Sequence, residues 1–417
     1  MPFNKPIAVV VVLVSLLQFV SAQRTVQEQS SLTDPADQCK YYNYPPVSTQ
    51  ITNFPATWQT AKILPSDSAA RTKFSEISSG IPQLPIKGLK AKQTYDKADP
   101  DCWWTATECT KPKHAGVPED LSVVPEPQTL GYGFDDGPNC SHNAFYDYLT
   151  QQKQKATMFF IGSNVIGWPL QAKRAFEDGH EICVHTWSHQ ELTGMTDEEV
   201  FSEIWYTVSL AITRACAVYL DDLWLVTGAS YQARYWRYYH MFPPSLWNIL
   251  WKHDTYDTIP DKSTGKVEVA SVRKNYESFV ATANSGAFAR EGAILLAHET
   301  NNMTMQEAVS YYPQLKAAFK YIVPVGVAMN ITQPYVETSF SQPSFEQYVA
   351  GTLQTQGPAS NPKSGSPNGG DGKSGNSSTP SGSTSTNLGN GASSASFPVI
   401  SSALMGVGLA LFVSAML

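Results

Sequence analysis

The 417-residue sequence has no basic run: its 29 Lys and Arg are scattered among 36 Asp and Glu, for a net charge of −7. Gripping a phosphate backbone needs clustered cations, so nucleic acid is excluded as a partner. Six cysteines are present (Cys39, Cys102, Cys109, Cys140, Cys183 and Cys216), but no two of them form a Cys-x-x-Cys pair. A thiolate zinc site is therefore not expected. No internal repeat of the length used by solenoids and propellers stands out. Residues 23–125 are rich in Pro, Ser and Thr and carry little sustained hydrophobic periodicity. They read as an N-terminal extension packed partly on the domain behind it. What the chain does have is 42% hydrophobic content, enough for one core of about two hundred residues or more.

Both ends carry targeting patterns. One lysine, an apolar run over 7–20 and then Val-Ser-Ala read as a signal peptide over 1–22. That run is short of the about 20 residues a membrane-crossing helix needs. Residues 352–396 are Ser, Gly, Thr, Asn and Pro with almost nothing to bury, the composition of a flexible stalk. The terminal run is apolar to Leu417 with no charge behind it. With small residues near Asn390, it reads as a GPI-anchor signal over 391–417, attached at Asn390 and removed from the mature form. The missing cytoplasmic charges favour this over a retained helix. Sequons at Asn139, Asn302, Asn330 and Asn376 and the six cysteines fit an oxidising, secretory route. Six cysteines allow 15 connectivities; Cys102 and Cys109 are close enough for a small loop.

Residues 126–336 have a different texture. Short apolar runs at 156–162, 181–186, 292–298 and 320–327 alternate with helical patterns at 144–152, 196–215 and 303–320. Thr196 and Glu199 form a capping box at the second of these. Such alternation predicts parallel strands in an α/β fold, with reactive side chains at the strands' carboxyl ends. Asp135 and Asp136, His185, and His298 fall at such ends. In His-Thr-Trp-Ser-His, His185 and His189 would share a face if the segment turns helically. Two imidazoles and one carboxylate make an open site for a divalent metal. Consecutive side chains point apart, so one of the two aspartates is the ligand and the other is free to act as a base. His142, His240 and His253 read as surface or loop residues.

Phe-Asp-Asp-Gly-Pro, His-Thr-Trp-Ser-His and Ile-Leu-Leu-Ala-His-Glu, in this order and spacing, resemble the polysaccharide deacetylases of carbohydrate esterase family 4, the NodB homology domain. The resemblance covers roughly 126–336. The two ends, and residues 302–327, resemble those of fungal GPI-anchored chitin deacetylases. The resemblance implies a distorted (β/α) barrel carrying Zn²⁺ or Co²⁺. It implies hydrolysis of the N-acetyl groups of chitin at the outer face of the plasma membrane and in the cell wall. It makes Asp135 the general base, and Asp136, His185 and His189 the metal ligands. His298 becomes the general acid. In Asp-Thr-Tyr-Asp, Asp254 matches the residue that orients the acid, with Asp257 closing the segment. Arg237 matches the residue that orients the base, and Tyr239 a substrate contact beside Asp135. The third motif departs from the family: Arg237 is followed by Tyr-Tyr-His-Met-Phe before Pro243 and Pro244. Thr258 stands where the family has Trp, and Gly133 where it has a hydroxyl residue. An altered substrate preference, a weakened enzyme or non-catalytic chitin binder, another acetylated polymer as substrate, and an error in the gene model all remain open.

Overall fold

The computed structural model describes residues 24–81, 86–87, 94–100, 102–113, 119–212, 225–227, 247–334 and 341–351. The signal-peptide, stalk and GPI expectations, Asn376 and Asn390, Cys216, and Arg237, Tyr239 and His240 lie outside these residues. By contacts the chain divides at Ser360, and the unit beyond it also lies outside. Among the described residues, no helix is long and apolar enough to cross a membrane.

The described residues contain nine strands, in order: β1 (Thr129–Gly131), β2 (Gly133–Gly137), β3 (Thr157–Phe160), β4 (Glu181–Val184), β5 (Leu225–Thr227), β6 (Trp247–Ile249), β7 (His253–Asp254), β8 (Ala293–Leu296) and β9 (Tyr321–Val323). Every pairing is parallel. All four residues of each of β3, β4 and β8 are buried, which explains their continuous apolar runs: a parallel strand is covered on both faces. Five strands are ordered β2-β3-β4-β5-β6 and four are ordered β7-β8-β1-β9.

Tyr132 joins the two sheets. Its N–H donates to Val323 of β9 at 2.8 Å, and its carbonyl accepts from Thr157 of β3 at 2.9 Å. Beyond it, β2 turns back toward the end of β8. Asp135 N–H donates to the Ala297 carbonyl at 3.0 Å, and Glu299 N–H to the Asp135 carbonyl at 2.8 Å. On the other side, residues 250–252 lead from β6 straight into β7. The sheets thus curl into the distorted α/β barrel expected.

Helices Asn143–Gln151, Asp197–Ile212 and Asn302–Ala318 occupy the three helical patterns. The capping box is present, with Thr196 N–H on Glu199 Oε2 at 3.0 Å and the reciprocal bond at 3.3 Å. Helices Pro169–Glu177 and Val269–Asn284 were not read from the sequence. The extension contributes Val47, Phe54, Ala61, Ala70 and Ile77 to the same core as the barrel strands. A disulfide joins Cys39 to Cys140, and a second joins Cys102 to Cys109; Cys183 is free and buried.

Candidate metal centre and catalytic site

The aspartate pair sits at an irregularity in β2. The register with β3 shifts between Asp135 and Gly137, and Asp136 has φ +69°. The consequence differs from the expectation that the carboxylates diverge. Both face the same imidazole, unequally: Asp136 Oδ1 lies 3.1 Å from His185 Nε2, and Asp135 Oδ2 lies 3.7 Å from it. The left-handed residue swings the second carboxylate round to the side of the first.

His189 Nε2 is also 3.1 Å from Asp136 Oδ1. The two histidines converge without a helical turn, correcting the sequence expectation. Residues 185–191 are loop, with Thr186 at φ +65° and His189 at φ +55°. Left-handed backbone at three non-glycine positions costs about 1–3 kcal/mol each, so the surroundings must enforce it. Glu203, buried in helix Asp197–Ile212, accepts from Trp187 N–H at 2.9 Å, Ser188 N–H at 2.8 Å and the Ser188 hydroxyl at 2.7 Å. Its other donor is Ala61 N–H at 2.8 Å, from the extension. Gly162 lies so close that an added Cβ would come within 2.6 Å of the Trp187 ring. Asn164 Nδ2 donates to the Asp136 carbonyl at 2.8 Å.

Opposite stands His298, just past β8. Its Nδ1 is 2.5 Å from Asp257 Oδ1, and its N–H donates to Asp257 Oδ2 at 3.2 Å. Asp257 is fully buried. Asp254 does not hold this histidine, against the expectation. It pairs with Leu296 as the last residue of β7, and its carboxylate caps the following turn by accepting from Tyr256 N–H at 2.7 Å. Tyr256, at φ +52°, reverses the chain and delivers Asp257 to the end of β8.

Sequence reasoning also missed Glu299. Its buried carboxylate accepts from Asn139 N–H at 2.9 Å and the Tyr146 hydroxyl at 2.8 Å, and meets His142 Nδ1 at 2.9 Å. His142 is thus fully buried rather than a surface residue. The network pins the turn after Asp136. A Cβ on Gly137 would strike Glu299 Oε2 at 2.5 Å, so only glycine fits there. The one available signal was adjacency to His298. Of the sequons, Asn302 and Asn330 are exposed, while Asn139 is partly buried with its Nδ2 donating to the Thr300 carbonyl at 2.6 Å.

The electrostatics divide the two carboxylates. Burial pushes Asp135 up to about 6, against the pull of His185 and His298. Burial also works to raise Asp136, but the hydrogen bond and charge of His185, with His189 and His298, hold it far below the usual carboxylate range. Loss of water and the neighbouring His185 push His189 down to about 4. His298 goes the other way. Burial would lower it, but the hydrogen bond and charge of Asp257, aided by Asp136 and Asp135, raise it to about 9. The site therefore pairs a proton acceptor with a proton donor near neutral pH.

Asp136 Oδ1 is buried and faces two imidazole nitrogens, each at 3.1 Å. One ligand atom from each of Asp136, His185 and His189 lies within 4.8 Å of the others. This donor set fits a divalent ion with positions left for water and substrate. The other acidic-cysteine cluster, Asp99 with Cys102 and Cys109, does not, because its sulfurs are joined in a disulfide.

Residues 123–240 match the polysaccharide deacetylase family. Over 348 residues the chain is 42% identical to chitin deacetylase 2 of Cryptococcus neoformans var. grubii, a match covering 79% of this chain and 74% of that protein. It is 38% identical over 339 residues to a chitin deacetylase of Amylomyces rouxii, covering 74% of each. A stretch of 134 residues is 33% identical to a peptidoglycan-N-acetylmuramic acid deacetylase of Bacillus subtilis, covering 31% of this chain and 28% of that one.

Proposed function

The chain belongs to the polysaccharide deacetylase family, and from that premise we propose that it hydrolyses the N-acetyl groups of N-acetylglucosamine units in chitin, leaving glucosamine units and acetate. The observation that carries this reading is the convergence of Asp136, His185 and His189 between a buried carboxylate, Asp135, and a charged histidine, His298. The choice of chitin among polysaccharides is supported by the two chitin deacetylases, each aligned over most of both chains.

An amide is a poor electrophile with a poor leaving group, so hydrolysis needs carbonyl polarisation, an activated water and a proton for the departing nitrogen. Asp136, His185 and His189 would hold a divalent ion, for which we propose Zn²⁺ or Co²⁺ from the mixed nitrogen and oxygen donors. Such an ion polarises the acetamide carbonyl and makes a nearby water more acidic. Asp135 takes the proton of the attacking water. His298 gives a proton to the amine as the C–N bond breaks. Its Nδ1 is committed to Asp257, so Nε2 is the donating end. Asp257 orients the ring and keeps it charged. Arg237 is proposed to orient Asp135, and Tyr239 to contact substrate, on the family motif alone.

Incubating the purified chain with chitin oligomers, acetylated xylan and peptidoglycan side by side tests the substrate. Acetate from chitin oligomers is expected. Acetate from another polymer alone, or from none, overturns the reading. We also propose secretion through the 1–22 segment and a GPI anchor at Asn390 that holds the enzyme at the outer membrane face and wall. Release by a GPI-cleaving phospholipase supports the anchor, and a membrane form still ending in Leu417 refutes it.

A further inference from the structure

The N-terminal extension builds a groove next to the metal centre that the reaction above does not use. Its cavity of about 500 Å³ is lined by Tyr41, Tyr44, Ile51 and Trp58 of the extension and by Asn164 and Trp168 of the segment after β3. No residue lining it carries a charge; its polar side-chain groups are hydroxyls, one amide and two indole N–H groups. Aromatic faces with neutral hydrogen-bonding groups suit a sugar, whose ring presents C–H faces and whose edge presents hydroxyls and acetamide.

Two of these aromatics stay in water although a core lies beside them. Tyr41 is 83% exposed and Trp58 is 49% exposed. Trp58 also sits at φ +62°, an unfavourable conformation for a bulky residue. It is held there because its N–H donates to Ser163 Oγ at 2.8 Å, while that hydroxyl donates to the Trp187 carbonyl at 2.6 Å. Backbone strain is thus maintained to hold an indole at the surface.

The groove is one unit with the metal loops. Asn164 lines it and also holds the Asp136 carbonyl. Ser163 lines it and also holds Trp187, between the two histidines. Trp187 in turn stacks on Phe54 at 5.8 Å and donates through its indole to the Ala56 carbonyl at 3.1 Å. The groove and the metal ligands are thus tied together through Ser163 and Asn164.

We propose that this groove is a glycan-binding subsite: it takes further sugar units of the same acetylated polysaccharide, stacking their faces on Trp58 and Tyr41. The inference rests on the deacetylase reading for its ligand class. The test uses the full-length chain and two β-1,4-linked N-acetylglucosamine oligomers, the dimer and the hexamer. Hexamer affinity is measured by calorimetry on an Asp135→Asn background, so that the ligand survives. Adding Trp58→Ala should weaken hexamer binding about tenfold, the usual scale for truncating a stacking aromatic, and leave dimer binding unchanged. Tyr41→Ala should weaken it less, and its exposure means that the change disturbs no buried contact. In the otherwise native enzyme, both changes should reduce the preference for hexamer over dimer. Unchanged hexamer affinity in both variants overturns the groove, even if acetate release from chitin stands. If the native enzyme releases no acetate from either oligomer but the affinity losses appear, the groove stands and the chitin reading falls.

Discussion

On the metal side of the site, Asp136, Thr186 and His189 all lie in left-handed backbone, held in place by hydrogen bonds that Glu203 accepts and that Asn164 and Ser163 donate. On the acid side, His298 follows a regular strand, and one carboxylate, Asp257, both orients and charges it. The metal ligands are fixed by many weak restraints acting on a strained loop. The acid is tuned by a single strong pair. Damage to the metal side should spread across several supports, whereas damage to the acid side should appear as one altered proton equilibrium.

The largest expected effect comes from breaking the metal side outright. His185→Ala should abolish acetate release and lose bound metal by elemental analysis, and chelation of the native enzyme should do the same until Zn²⁺ or Co²⁺ is restored. Full activity in metal-free protein would contradict the centre. Next, Asp135→Asn should retain the metal but lose about 10²–10⁴-fold in turnover, the usual contribution of a positioned base. A smaller loss would mean that another group accepts the proton.

The acid side offers a sharper comparison through pH. His298 must be protonated to donate, so activity should fall as pH rises through about 9. Asp257→Asn removes the group that raises this value and leaves burial to lower it. The alkaline limb should then move to lower pH by about 1–3 units. Asp254→Asn should leave the limb in place. If Asp254→Asn moves it and Asp257→Asn does not, the assignment is reversed. Smallest is Glu203→Gln, which weakens a support without touching a ligand. Metal affinity should fall about 10–100-fold, as when outer supports of a ligand are altered, with an unchanged pH profile in metal-saturated enzyme.

This contrast also explains what could be read in the sequence. Asp136, His185 and His189 belong to short contiguous motifs, so their chemistry survives without knowledge of the fold. Strands β3, β4 and β8 were legible because full burial forces apolar runs. Asp257 was missed in favour of Asp254 because the choice depends on a left-handed residue between them, Tyr256, which spacing does not reveal. Glu203 and Glu299 were invisible for another reason. Each is an acidic residue whose partners come from remote segments: Glu203 binds Ala61, 142 residues away, and Glu299 binds Asn139, 160 away. The helix Val269–Asn284 buries only Val272, Tyr276 and Phe279, too sparse an apolar stripe to stand out.

The bond between Cys39 and Cys140, 101 positions apart, closes a covalent ring that contains residues 54–61, the strap that supports Trp187 and Glu203, and the two aspartates of the site. A ring of that size removes about 4–5 kcal/mol of freedom from the unfolded chain in the loop-entropy account. It also changes what a protease can do. A single cut anywhere in the ring opens it but releases nothing. The nicked enzyme should migrate as one species in non-reducing electrophoresis and as two pieces after reduction, with the strap still tethered beside the histidine loop it supports.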